Sequence, residues 1–233
     1  MSLILYERLV GGDRRPSPFC WRARFALAHK GLSPEIVAIR FTEAKRVAFS
    51  GQGKVPVLVD GEEVIWDSWS IACYLEKAYP DRPSLFGGAG GQALARFVNH
   101  WVECTLQQAL AVPFVPSLYD LLEPVDKAYF RETREARFGR SLESLRGERA
   151  GFMTGLAEVL APLRLRLSEA PFLCGEVPAY GDYLVFAVFQ WARCTDPEDL
   201  LPDPDCPIRA WRARMLDLFE GLARSVPAFE SAA

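Results

Sequence analysis

Between Arg15 and Trp21 the chain reads RPSPFCW, which sets a hydroxyl at Ser17 and a thiol at Cys20 three residues apart, just ahead of a helical pattern. Ser17 has the side-chain oxygen of a good N-cap, and Pro18 has the fixed φ favoured at the first helical position. A helix mouth also presents unpaired N–H groups and partial positive charge, which favour an anion and can lower a thiol pKa well below its usual value of about 8.5. The stretch therefore admits both a cap and a site for a sulfur anion.

Two further stretches could meet a ligand. In KVPVLVDG, Pro56 opens a strand, where a missing N–H is tolerated and where a cis peptide can occur; without a ligand it is a tight strand entry. Asp67-Ser68 starts a helix whose free N–H groups, with the Ser68 hydroxyl, form a receptor for a carboxylate, a cap, or both. Lys54, just before Pro56, is either a cation for a ligand carboxylate or an ordinary exposed lysine.

Other chemistries are poorly supplied. The six cysteines (Cys20, Cys73, Cys104, Cys174, Cys194, Cys206) include no CxxC pair, and neither His29 nor His100 has a second ligand nearby in sequence, so no metal site is expected. GAGGQA fits a dinucleotide-loop pattern, but no strand precedes it. Arg131, Arg134, Arg137 and Arg140 interleave with Glu132, Glu135 and Glu143, which suits a solvated or subunit-facing helix side better than a polyanion patch. A formal net charge of -3 over 233 residues gives no general attraction to nucleic acid or acidic membranes. The N-terminus does not read as a secretory signal, and no apolar run approaches the roughly 20 residues needed to cross a bilayer, so a cytoplasmic location with reduced thiols is expected.

The elements that must position these residues fall into two groups. Leu3–Glu7 reads as a strand, Pro18–Lys30 as a helix stopped by Gly31, and Glu35–Arg40 as a second strand. Thr42–Lys54 is less regular. VPVLVDGEEVIW then places Asp60-Gly61 between two apolar runs, the sequence of a type I′ hairpin, and a helix over Trp69–Tyr79 ends before Pro80. This order predicts a small mixed sheet covered by helices over residues 1–80. PDRPSLFGGAGG supplies a linker at 81–91. Residues 92–233 read as all-helical, with helices over Gln92–Leu110, Val125–Phe138, Ser141–Ser168, Asp182–Arg193 and Ile208–Leu222, punctuated by prolines including Pro113, Pro116 and those of PDPDCP.

SPFCWRARFALAHKG, KVPVLVDG and DSWSIACYLEKAYPDRP, in this order and at these separations, resemble the cytosolic glutathione transferase family. Ser17 followed by Cys20-Trp21-Arg22 looks most like its serine-type zeta class and its bacterial lignin β-etherase and fungal relatives. The resemblance implies an α/β N-terminal thioredoxin-like domain (βαβ-α-ββα) and an all-α C-terminal domain that contributes a second-substrate pocket.

It also implies glutathione as co-substrate, with Ser17 donating its hydroxyl hydrogen to the glutathione sulfur so that the thiolate attacks a hydrophobic, aromatic electrophile. Conjugation, ether cleavage and isomerisation all start from that nucleophile, the first being a detoxification reaction. Cis-Pro56 would expose the Val55 backbone to the cysteinyl moiety, Asp67 and Ser68 would hold the γ-glutamyl group, and Lys54 would meet the glycyl carboxylate; Phe19 joins them as a binding residue. Trp101, Cys104, Phe114 and Tyr119 are candidate liners of the acceptor pocket, although large apolar side chains at such spacing more often belong to the core. A homodimer is implied, with the N-terminal domain of each subunit facing the helices of the other.

The sequence departs from the pattern in two places. Ala179 stands where the family usually has a Ser or Thr cap three residues before Asp182, and GGDRRP lengthens the loop before Ser17. Ser17-x-x-Cys20 lacks the first thiol of a redox pair, which leaves Cys20 as a perturbed thiol or a packing residue. The competing function is a non-catalytic ligand carrier or protein-interaction module of the same fold.

Overall fold

In the computed structural model, which describes residues 2–201, 203 and 205–229, the first half forms a four-stranded sheet. Strand β1 (Leu3–Arg8) pairs in parallel with β2 (Glu35–Ile39) through the crossover helix α1 (Pro18–His29). The hairpin β3 (Val57–Asp60) and β4 (Glu63–Trp66) joins the other side of β1, giving the order β2-β1-β3-β4. Helix α2 (Ser68–Ala78) follows, and Phe41–Ser50 winds as a 3₁₀ segment between β2 and β3. The unit is a thioredoxin-like βαβ-α-ββα domain.

The hairpin turn sits one residue later than the sequence suggests. Asp60 pairs with Glu63, so the turn residues are Gly61-Glu62, and of the two only Gly61 has positive φ, at 61°. A type I′ turn needs positive φ at both positions, whereas a type II′ turn takes glycine at the first.

The second half is helical: α3 (Ala89–Trp101), a π-helical turn over Val102–Leu106, α4 (Gln107–Asp120), α5 (Pro124–Phe138), α6 (Leu142–Gly147), α7 (Arg149–Val159), α8 (Ala161–Glu169), α9 (Tyr180–Thr195) and α10 (Pro207–Gly221). Pro202 and Pro204 of PDPDCP, and the last four residues of the 92–233 unit, lie outside the described residues. The prolines at 113 and 116 do not end the first helix, which runs through both to Asp120. Each removes one N–H from the ladder, while Arg149 and Arg146 donate to the carbonyls of Pro113 and Pro116 at 3.4 and 3.3 Å. Conversely, the single helix read over Ser141–Ser168 is three, broken at Glu148 and at Leu160, the second break falling just before Pro162 at the start of α8.

Helix α9 is the centre of the molecule, with every residue but Arg193 buried. One apolar core runs from Leu5 and Leu58 of the sheet, through Trp21 and Phe25 of α1, to Phe186 of α9 and Trp211 of α10. The stretch joining the halves is itself anchored, since Leu85 and Phe86 are buried and Tyr180 N–H donates to the Leu85 carbonyl at 3.0 Å. Gly91, in the first turn of α3, lies against that stretch, where a Cβ would stand 1.8 Å from the Phe86 carbonyl oxygen.

Candidate functional site

The strand register brings the strand ends that lead to the three sequence motifs to one end of the sheet. Tyr6 of β1 faces Val57 of β3, and Val57 faces Trp66 of β4. Just beyond this row lie the exit of β1 toward Ser17, the Val55-Pro56 bond, and Asp67-Ser68. Residues as far apart in sequence as Tyr6 and Trp66 thus share one row because antiparallel pairing brings strand ends together.

Ser17 caps α1 with extended backbone (φ -71°, ψ 115°), and Cys20 N–H donates to its Oγ at 3.3 Å. The loop ahead of it is fixed at several points. Arg15 Nε donates to Glu7 Oε1 at 2.8 Å, Trp21 Nε1 donates to the Arg15 carbonyl at 2.6 Å, and Gly11 N–H donates to the Leu121 carbonyl at 3.0 Å. A Cβ on Gly11 would stand 2.4 Å from that oxygen, so the contact requires glycine. The Cys20 thiol is only 3% exposed; burial, reinforced by the Glu7 charge, pushes it up to about 12. A thiol in that state is protonated at neutral pH and packs rather than attacks.

At the mouth of α2 the cap is Asp67, not Ser68. Its carboxylate accepts from Trp69 N–H at 2.7 Å, Ser70 N–H at 3.0 Å and the Ser70 hydroxyl at 2.8 Å. These bonds hold Asp67 at φ 62°, ψ 148°, a region that side chains rarely enter. Ser68 is buried and its hydroxyl has no hydrogen-bond partner among the described residues, while its carbonyl accepts the Tyr180 phenol at 2.8 Å. The Val55-Pro56 peptide is cis, and Lys54 is exposed with no ion pair among the described residues.

Phe19 is half-buried with the Arg22 guanidinium 4.8 Å from its ring. Arg22 is fully buried and ties α1 to the second half: Nη1 donates to Glu103 Oε1 at 2.9 Å and Asn99 Oδ1 at 3.2 Å, Nη2 to Gln107 Oε1 at 3.4 Å. Its partners straddle the π-helical turn, where Gln107 N–H donates to the Val102 carbonyl five residues back. In the sequence Arg22 figures only as part of the Cys20-Trp21-Arg22 resemblance, with no role of its own, and Tyr180 does not stand out. Tyr180 sits inside the PAYGDY stretch, whose pattern draws the eye to Ala179 and Asp182 instead.

The four candidate liners do not form one wall. Phe114 is 0% exposed, edge-on to Trp191 at 5.7 Å, because α4 packs this face against α6, α7 and α9; it belongs to the core and lines no cleft. Trp101 is half-buried against the same core and Cys104 is exposed on the π-helical turn. Tyr119 is half-buried beside Phe130, with Lys127 and Arg131 over its ring. A cavity of about 440 Å³ opens elsewhere, between the end of α9, α10 and the tail at Phe229, and none of the site residues borders it.

The missing cap at Ala179 is compensated from Asp182. Its buried carboxylate accepts from Leu173, Cys174 and Ala179 N–H at 2.7, 3.2 and 3.2 Å, and from Trp211 Nε1 at 2.9 Å. Among the described residues no cluster of three or more His, Cys, Asp or Glu could hold a metal ion, and no helix is long and apolar enough to cross a membrane.

Residues 16–78 match the family model for the glutathione S-transferase N-terminal domain, and residues 93–201 the model for the glutathione S-transferase C-terminal domain. The chain is similar to the glutathione S-transferase-like protein ustS of Aspergillus flavus, with 31% identity over 57% of this chain and 51% of that protein, so the match spans about half of that relative's length. It is similar to a zeta-class glutathione S-transferase of Euphorbia esula, with 30% identity over 62% of this chain and 67% of that protein. Among solved structures, a glutathione S-transferase of Ceriporiopsis subvermispora in complex with glutathione shares the fold at TM-score 0.81 and 24% identity, covering 94% of this chain and 98% of that one. A glutathione transferase of Phanerochaete chrysosporium does so at TM-score 0.75 and 25% identity, covering 95% and 92%.

Proposed function

This chain belongs to the glutathione S-transferase family, and on that premise we propose that it binds glutathione at the three motifs at that end of the sheet and activates its thiol with Ser17. What supports the reading is that the exit of β1 toward Ser17, the cis Val55-Pro56 peptide and the start of α2 lie at one end of the sheet, with the Ser68 hydroxyl left for a ligand. The Ser17 oxygen already accepts the Cys20 N–H, so its own proton is the group to offer a sulfur anion. The positive end of α1 lowers the free energy of the same anion. Ser68, with its hydroxyl unengaged at the positive end of α2, suits the carboxylate of a γ-glutamyl group, and Lys54 suits the glycyl carboxylate. Val55 supplies backbone groups to the cysteinyl unit.

In substitution and ether cleavage so read, the sulfur forms a bond to an electrophilic carbon as the leaving group departs with its electron pair; in isomerisation the sulfur adds and then leaves with the electron pair of its own bond to carbon. Conjugation, ether cleavage and isomerisation share the sulfur attack. The reading carries with it a homodimer and a cytoplasmic setting that keeps the cysteines reduced.

Retention on immobilised glutathione with elution by free glutathione tests binding. Ser17→Ala tests catalysis: glutathione affinity is retained while turnover of an aryl halide falls by one to two orders of magnitude. Binding without turnover in the parent protein would instead make the chain a carrier, and an unchanged rate in Ser17→Ala would move the thiolate-stabilising role to another residue.

A further inference from the structure

Two guanidiniums approach the ring of Phe41, the residue that opens the 3₁₀ segment: Arg8 at 4.3 Å and Arg134 of α5 at 5.3 Å, the latter also 4.6 Å from Phe130. Arg8 ends β1 and is only 8% exposed, and its Nη1 donates to the main-chain carbonyls of Ile39 and Arg40. Arg40 Nη1 is buried without any partner. Among the described residues none of Arg8, Arg40 and Arg134 makes an ion pair.

The carboxylates nearby, Asp126 and Glu43, act on Arg8 as opposite charges without forming an ion pair with it, and Asp126 Oδ2 is buried without a hydrogen-bond partner. Asp126 Oδ1 accepts the Thr42 N–H and hydroxyl, each at 2.9 Å, and Glu43 Oε2 accepts the Arg40 N–H at 2.8 Å. Burial, with Arg137 and Arg8 as like charges, holds the Arg134 guanidinium below its usual range. Arg8, Arg40, Arg134 and Arg137 outnumber these two carboxylates, and an anion placed between Arg8 and Arg134 relieves the remaining repulsion.

The cluster adjoins the Ser17 region. Arg8 lies two residues beyond Tyr6 on β1, opposite Ile39 of β2, and so at the same end of the sheet as the Tyr6–Val57–Trp66 row from which the chain runs on to Ser17. Around the guanidiniums stand the aromatic faces of Phe41 and Phe130, with Tyr119 tilted against Phe130 at 6.3 Å. A planar guanidinium fork matches a carboxylate in two parallel hydrogen bonds, and aromatic faces accept an arene.

We propose that the electrophile taken by this protein is an arene bearing a carboxylate, which Arg8 and Arg134 hold beside Phe41 while its reacting carbon faces the sulfur at Ser17. The inference rests on the glutathione reading above for its reaction, and on the arginine cluster alone for its anion.

Chlorodinitrobenzoate and chlorodinitrobenzene undergo the same substitution, in which the glutathione sulfur displaces chloride and chloride leaves with the electron pair of its bond. The ratio of their kcat/KM values therefore isolates the effect of the carboxylate when the same ratio is compared between proteins. In Arg134→Gln the ratio falls about tenfold, as loss of a charge-assisted hydrogen bond requires. Arg134→Lys falls in between, and Lys77→Gln, an exposed cation on α2, leaves the ratio as it was. In parallel, calorimetric titration of the protein without glutathione shows dinitrobenzoate binding more tightly than dinitrobenzene, with the difference lost in Arg134→Gln while the melting temperature confirms folding. Equal ratios in parent and Arg134→Gln, or no preference for dinitrobenzoate in the titration, overturn the inference even where glutathione turnover is intact. Selective, Arg134-dependent binding of dinitrobenzoate in a protein that turns over neither arene upholds the anion site and removes the glutathione reading instead.

Discussion

The phenol of Tyr180, on the buried helix α9, donates to the carbonyl of Ser68 at 2.8 Å and so fixes the first turn of α2 from the opposite half of the molecule. Ser68 is where the family resemblance puts a ligand carboxylate, so the bond couples the helical core to that contact. Tyr180→Phe is expected to cost about 1 kcal/mol of stability, the usual net value of one buried hydrogen bond. It should also weaken glutathione binding several-fold, measured by calorimetric titration, with little change in turnover at saturating glutathione.

Cys20 and Cys104 should separate sharply under alkylation. Cys104 is exposed, whereas burial keeps the Cys20 thiol protonated. Iodoacetamide at about pH 8 should label Cys104 first and leave Cys20 unmodified until the protein unfolds, as read by peptide mass spectrometry. Cys20→Ser should then retain turnover; loss of turnover in a folded variant would restore a chemical role to the thiol.

His29 predicts a pH dependence. Its Nδ1 is 2.6 Å from the Tyr183 hydroxyl and its Nε2 is 3.0 Å from the Ser84 carbonyl, an arrangement that suits the neutral ring with the proton on Nε2. Burial is the largest influence and lowers its pKa from the ordinary 6.5. Below 6.5 the unfolded chain takes up a proton that the folded chain resists, so this contribution is full above 6.5 and is lost as pH falls toward the lower folded value. Thermal melts from about pH 7.5 to about pH 5.5 should show a falling midpoint, and the slope should flatten in His29→Gln.

Asp182→Asn should be among the most damaging single-atom changes in the helical half. The carboxylate accepts four N–H donors, and an amide nitrogen turned toward any of them opposes donor to donor. A loss of about 3 kcal/mol or more is expected in denaturant titrations, since hydrogen bonds to a charged group contribute roughly 1.5–3 kcal/mol each.

What could be read in advance was what is local. The Ser17 cap, the proline at the β3 entry and the start of α2 depend on neighbours within a few residues, and capping and turn chemistry report them directly. The fold order followed from the change of period between the halves. The identity of the α2 cap did not, because whether Asp67 or Ser68 turns toward the helix N–H groups depends on the unusual backbone at Asp67 and on Tyr180 holding Ser68. Tyr180, Arg22 and the Arg8–Arg134 pair owe their positions to contacts between elements far apart in sequence. Phe114 looked like a pocket residue because aromatic side chains carry no local sign of which helix they face. Pro113 and Pro116 misled as helix stops because tertiary packing of α4 outweighs a propensity that acts one residue at a time.

The π-helical turn has a geometric consequence. In an uninterrupted α-helix, at about 100° per residue, the side chains of Asn99 and Gln107 would diverge by about 80° around the axis. Absorbing one residue in the wider turn returns them to within about 20° of a common line. Three side chains on successive turns then come into phase, so that one planar cation reaches all of them. The winding defect is thus what makes a single-arginine clasp between the two halves sterically available, and a perfectly regular helix would leave that cation with a partner out of reach.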